Sequence, residues 1–188
     1  MEKKLNNASY TLFIGKDCQY YFNLKAGNHE IILQSEGYTT KQNALKGIQS
    51  VQENCTEDDN YERKIATDSS PYFVLKAKNG EPIGKSEMYS SEQMMENGIS
   101  SVKKNGVTEM IKEDERKCVT ISVNTNPHKV REGTMTGSDI LKLEGYSSDK
   151  YSLFQIKGTE QIEITSNETV SIIDGLEFQA IVSNIKFG

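Results

Sequence analysis

Residues 20–55, YYFNLKAGNHEIILQSEGYTTKQNALKGIQSVQENC, align without a gap on residues 71–106, PYFVLKAKNGEPIGKSEMYSSEQMMENGISSVKKNG. The matches include Phe22/Phe73, Leu24/Leu75, Ile32/Ile83, Ser35-Glu36/Ser86-Glu87, Tyr38/Tyr89, Gly47-Ile48/Gly98-Ile99 and Asn54/Asn105. A duplication of this kind constrains the fold more than any composition, because one supersecondary unit must be built twice. A unit of about sixty residues or fewer is marginal alone, so the two copies should share one core.

Each copy reads as three strands and a helix. In the first, residues 10–14, 20–26 and 30–36 are the strands, separated by Gly15-Lys16-Asp17 and Gly27-Asn28. Thr39 or Thr40 supplies an N-cap for a helix to about Gln52. Ala44, Leu45, Ile48 and Val51 form its apolar stripe. The second copy has a sharper hairpin signal at Asn79-Gly80. Its helix starts at Ser90 or Ser91 and is expected to bury Met94, Met95, Ile99 and Val102.

LKAKNGEPIGKSEMYSS and ENGISSVKKN closely resemble the YegP-like family, small bacterial proteins of unassigned biochemical function. The resemblance covers about residues 9–111, with repeats at about 9–56 and 60–107. It implies tandem β3α repeats sharing one antiparallel sheet, with the short strand after each helix exchanged between units. Residues 107–111 are the expected exchanged strand. Tyr21, Tyr38, Tyr72 and Tyr89 recur at equivalent positions. They are expected to pack at the core or helix entry; the functional alternative is a symmetric binding surface.

After an expected linker at 112–115, the patterning changes. KCVTISV alternates, with Val119, Ile121 and Val123 on one face, as a half-buried strand does. Residues 124–127 read as a turn and 128–132 as the returning strand. Thr136-Gly137-Ser138-Asp139 fits a capping box ahead of Ile140, Leu141 and Leu143, and Gly145 suits the helix end. Strands follow at 151–156, 161–164, 169–173 and 176–181, the last entered through Asp174-Gly175. This is the order of a β-grasp fold. The fold class expected for the whole chain is therefore α+β, with the tandem repeats followed by a C-terminal β-grasp (ubiquitin-like) domain at 116–181 and a tail at 182–188.

TISVNTNPHKV, MTGSDILKLEGYSSDKYSLF, NETVSIIDGLEF and the final FG resemble the bacterial multi-ubiquitin family of ubiquitin-like proteins. The resemblance implies a modifier handled by ubiquitin-activating-like and conjugating-like enzymes, trimmed by a processing metalloprotease and attached to unknown protein targets. It also implies a place in phage defence. Gly188 would be the conjugated residue, with Phe187 beside it where ubiquitin-type tails carry a second glycine. A glycine end passes a narrow channel because it lacks a Cβ. Phe187 needs a wider apolar slot, so a dedicated activating partner is implied. Ile185 in the tail and Phe154 on the third strand are the expected partner-binding residues. No cofactor is expected to be bound; ATP would be consumed by the activating partner.

The remaining chemistry argues against other classes. No apolar run is long enough to span a membrane, and there is no signal peptide. The net charge is −5 with no basic stripe, so nucleic acid is disfavoured as a ligand. The three cysteines, Cys18, Cys55 and Cys118, are scattered, with no metal spacing or disulfide pattern, and point to a reducing cytoplasm. His29 and His128 are expected in or beside exposed turns, without a partner for general-base or metal chemistry. The acidic stretches 53–59 and 112–117 read as solvated connectors. The chain is not expected to be an enzyme: it is read as a modifier, with a non-conjugated adaptor as the alternative.

Overall fold

In a computed structural model, which describes residues 7–183, the duplicated segments fold alike. The first copy comprises β1 (Ser9–Ile14), β2 (Tyr20–Lys25), β3 (Ile31–Gln34) and α1 (Lys41–Asn54). The second comprises β4 (Tyr61–Ile65), β5 (Pro71–Lys76), β6 (Pro82–Lys85) and α2 (Glu92–Asn105). Thr40 and Ser91 cap the two helices, their hydroxyls accepting from the N–H groups of Asn43 and Met94. A final strand β7 (Ile111–Glu113) completes a seven-stranded sheet in the order β4-β5-β6-β3-β2-β1-β7. These elements belong to a first unit made of 7–15 and Gln19–Glu115.

The copies meet where β3 pairs with β6, at Gln34 and its own counterpart Lys85. At such a joint each residue faces its own repeat, and two large side chains at one position would collide. Leu33 solves this by packing over Gly84, where a Cβ would come within 2.7 Å of the leucine. Phe22, Leu24, Leu33, Ile48, Phe73, Leu75, Ile99 and Val102 fill the shared core. Each such buried side chain contributes about 1.5–3 kcal/mol.

Four expectations for this unit are corrected. The sheet is not antiparallel throughout: β7 runs parallel to β1. The chain returns to the sheet later than expected, at Ile111–Glu113, so residues 112 and 113 are strand and not linker. Met94 is 52% exposed, because the apolar face of α2 is carried by Met95, Ile99 and Val102. The stretch 53–59 is not merely solvated: Asp58 pairs with Arg63 and Lys103, and Arg63 also grips Glu96 on α2.

The second unit comprises Lys16–Cys18 and 116–183. β8 (Cys118–Val123) and β9 (Asn126–Arg131) form a hairpin turned by Asn124 and Thr125, both at positive φ. Pro127 therefore lies in a strand and not in the turn. It is accommodated because it sits opposite Ser122 on an edge strand, where no N–H is required. Then come β10 (Gly133–Thr136), α3 (Gly137–Lys142), β11 (Tyr151–Lys157), β12 (Glu160–Ile164), β13 (Thr169–Ile172) and β14 (Glu177–Val182). The Thr136 hydroxyl accepts from the Asp139 N–H and donates to the Asp139 carboxylate, forming the expected cap.

The main sheet runs β12-β11-β14-β8-β9, with β14 parallel to β8; β10 and β13 pair separately. Val119, Ile121, Val123, Ile140, Leu141, Leu153 and Phe178 form the core on one side of it. Taken together, the described residues form a mixed α+β architecture with three sheets. Cys18 and Cys118 form a disulfide within this unit, with Cα atoms 5.8 Å apart. Their separation in sequence concealed a pairing that only folding creates, and the expectation that the cysteines form no disulfide is corrected. Cys55 remains as a buried free thiol, and the disulfide removes most of the cysteine argument for a reducing compartment.

Candidate functional site

β11 sets the candidate surface. Leu153 and Gln155 point into the core, so Phe154 and Ile156 fall on the opposite, outward face. The register places Gln179 and Glu163 beside Phe154, Glu177 and Gln161 beside Ile156, and Ile181 beside Ser152. Phe154 and Ile156 are half-buried, while Ile181 is exposed. The Gln161 side-chain amide donates to Gln179 at 3.0 Å, linking β12 to β14 across the strand that carries Phe154. The result is a short apolar stripe with a polar and acidic rim, beside an open depression of about 680 Å³ lined by Ile156, Ser122 and Glu177.

Phe154 thus lies on the outward face, as its strand position predicts. Ile156 and Ile181 join it there and were missed by sequence reasoning. Strict alternation along YSLFQIK carries the signal for Ile156, but Gln155 obscures it by being a polar residue that faces inward, 8% exposed. Ile181 needs the pairing of β11 with β14, which no local pattern reveals. The other candidates, Ile185, Phe187 and Gly188, lie outside the described residues. Ahead of them, β14 extends to Val182, paired with Tyr151, and Ser183 donates to the Lys150 carbonyl at 2.8 Å.

His128 stands in the returning strand, as expected, but it is half-buried and has a partner, against the expectation of an exposed, unpartnered residue. It occupies β9 with its Nε2 2.6 Å from Glu144 Oε1. His128 and Asn126, both bonded to Glu144, hold that carboxyl below the usual carboxylate range. His29 does lie in a turn, at positive φ. Among the described residues, no group of three or more His, Cys, Asp or Glu side chains is placed to hold a metal. No helix among them is long and apolar enough to cross a membrane.

The repeated tyrosines have structural surroundings. Tyr38 stacks on Phe22 and Tyr89 on Phe73, with centroids 6.1 and 6.3 Å apart. Their hydroxyls lie over Gly47 and Gly98, where an added Cβ would approach to 2.3 and 2.1 Å. A second repeated pair went unnoticed in the sequence. Tyr10 donates to the Gly106 carbonyl and Tyr61 to the Cys55 carbonyl, each at 2.6 Å. Each first-strand tyrosine therefore closes the C-terminus of the other copy's helix.

Comparison with known proteins divides the chain at the same place. Residues 16–62 and 66–113 match a domain of unknown function, DUF1508, and residues 119–183 match the Multiubiquitin family. The UPF0339 protein YegP of Yersinia pestis is 53% identical over 104 residues, covering 55% of this chain and 93% of that protein. A UPF0339 protein of Bordetella pertussis is 54% identical over 98 residues, covering 52% of this chain and 88% of its own length. The solution structure of yegP from Escherichia coli, a protein of unknown function, superposes with a TM-score of 0.55 at 46% identity. It covers 57% of this chain and 92% of that one. A UPF0339 protein from Shewanella oneidensis gives a TM-score of 0.54 at 47% identity over 57% of this chain and 91% of its own.

Proposed function

This chain belongs to the DUF1508 family, and from that premise we propose that its second unit makes it a ubiquitin-like modifier fused to a DUF1508 domain. The observation that carries the reading is the Multiubiquitin match over 119–183. The sheet order supports reading this unit as a β-grasp: a parallel pair, β14 and β8, sits at the middle of the sheet, and α3 packs on its core face. In this reading Gly188 is the activated residue. Its carboxylate attacks the α-phosphate of ATP in an activating-like enzyme and pyrophosphate leaves. An enzyme thiol then captures the acyl group, AMP departs, and a target amine finally displaces the thiol through a conjugating-like enzyme. A metalloprotease trims the modifier, and Phe187 fits an apolar slot that restricts activation to its dedicated enzyme. The catalytic groups belong to these partners; this chain is substrate and signal. Its function in phage defence follows from the same reading and is measured by plaque formation with and without Gly188.

Reconstitution tests the proposal directly. The chain, an activating-like and a conjugating-like enzyme from the same organism, and ATP should yield a covalent ladder on target proteins. Deleting Gly188 should abolish it while leaving the fold intact. A ladder that persists without Gly188 would reject conjugation through this residue. The outward stripe of Phe154, Ile156 and Ile181 favours a second reading, a non-conjugated adaptor that uses this face. That reading gains if Phe154→Ala ends partner capture while no ladder forms with any of the enzymes.

A further inference from the structure

The edge of the second unit's sheet at β9 lies far from the Phe154 stripe and has a different chemistry. Glu132 N–H donates to Lys117 O, which fixes the hydrogen-bonding phase of the β8/β9 pair. In that phase Val130 and His128 turn their backbone groups toward β8, while Lys129 turns its N–H and C=O outward. Pro127, which has no N–H to leave unpaired, occupies the same outward phase. A cleft of about 530 Å³ runs along this edge, between residues 129–135 and α3. Every residue lining it belongs to the second unit. Val130, Met135 and Leu143 supply apolar surface on the core side.

Charge is concentrated here. Arg116, Lys129, Arg131 and Lys142 border the cleft, leaving only Lys117, Lys150 and Lys157 for the rest of residues 116–183, a segment with more carboxylates than cations. Of the two acids at the cleft, Asp139 is engaged by Thr136 and Lys142, and Glu132 lies 3.4 Å from the Lys117 N–H. Lys129 and Arg131 alternate with inward-facing Val130, so their side chains rise from the outer face, while Lys142 approaches from the helix side.

We propose that the β9 edge and its cleft bind an extended peptide segment of a partner protein by strand addition, with acidic and apolar residues alternating along the segment. Main-chain hydrogen bonds to Lys129 supply affinity, and alternate side chains supply specificity. One side of the added strand meets Val130, Met135 and Leu143; the other places carboxylates beside Lys129 and Arg131. A polyanion such as RNA would use the cations but neither the apolar wall nor the strand edge. The proposal holds whether or not the chain is conjugated.

The test uses the full chain and a fluorescent alternating Glu-Val peptide of about eight residues, long enough to span β9. Anisotropy should show saturable binding that weakens with salt, and amide resonances of residues 129–134 should shift. Joint Lys129→Glu and Lys142→Glu substitution should weaken binding about tenfold with the fold unchanged. N-methylation of alternate peptide amides should abolish it, because those amides supply the main-chain bonds. Equal binding of an alternating Lys-Val peptide, indifference to N-methylation, or shifts confined to other residues would overturn the proposal. Displacement by inorganic phosphate would show a simple anion site, and displacement by an RNA oligonucleotide would show a nucleic-acid surface; either rejects it. Absence of binding, with a dimer that Lys129→Glu dissociates, would assign the edge to a second copy instead.

Discussion

Gly47 and Gly98 show how a repeated residue can be structural. Each lies in a helix, where glycine is about 1 kcal/mol less favourable than alanine. The tyrosine ring above each leaves no room for a methyl group. Gly47→Ala should cost about 1–3 kcal/mol through overpacking, outweighing the propensity gain. Tyr38 cannot simply yield, because the Phe22 ring also lies within 2.9 Å of the added Cβ. In a Tyr38→Ala background the same change should cost less, because only the Phe22 contact remains, and a double-mutant cycle by urea denaturation measures that coupling. Burial also pushes the Tyr89 hydroxyl up to about 12, with the Glu87 charge adding to it. A raised folded-state value means that this contribution to stability is complete below the ordinary tyrosine value of 10.0 and is lost as pH rises toward 12. Melting temperature followed alongside tyrosinate absorbance should fall in that window, and Tyr89→Phe should flatten the fall. The repetition of Tyr38 and Tyr89 was legible because it lay inside the gapless alignment. Tyr10 and Tyr61 stand at the same spacing but precede the aligned block, and their bonds cross from one copy to the other. Tyr61→Phe should cost about 1–3 kcal/mol by leaving the buried Cys55 carbonyl without its donor.

At the scale of elements, both capped helices and most strands were readable from hydroxyl caps and period-two alternation, since both are local signals. Departures came where one element depends on another. Met94 was assigned to the buried stripe, yet the duplication aligns it with Asn43, an exposed helix position in the first copy. β10 has no alternation of its own and exists as a strand because β13 lies beside it. Phe154 was legible as a candidate because it belongs to a short strand; Ile181 was not, because its neighbour on the surface comes from a distant strand. The turn at Asp58–Asn60 makes the same point with charge. Lys103 and Arg63 hold the Asp58 carboxyl below its ordinary value of 3.8, and Arg63 likewise lowers Glu96 from 4.5. Depressed folded-state values add stability above these ordinary values, and that stability is lost as pH falls through the lower folded-state range. Thermal melts below about pH 4.5 should therefore steepen in the native chain. Arg63→Met should reduce that steepening, and raised salt should weaken it because the groups are exposed.

For the whole molecule, the informative fact is that the buried apolar side chains of the described residues gather into two clusters, one per unit. The two sequence resemblances part at the same boundary, so the chain's organisation was legible from motif content alone. The strand edge of β9 was not, because it depends on which strand ends the sheet and on the phase of its hydrogen bonds. Separate cores predict separate losses. Phe178 is buried against the second cluster on β14, the strand that joins the β11/β12 pair to the β8/β9 hairpin. Phe178→Ala removes a large side chain at that junction and should cost about 3–5 kcal/mol. A unit of this size has little more than that to lose. Hydrogen exchange should show amides of β8, β11 and β14 losing protection, while those of β2, β5, α1 and α2 keep theirs. Leu75→Ala, in the first core, should reverse the pattern. Loss of protection in both units from either single change would show that folding couples them, and a modifier reading would then have to treat the DUF1508 domain as part of the recognised body instead of a separately folded attachment.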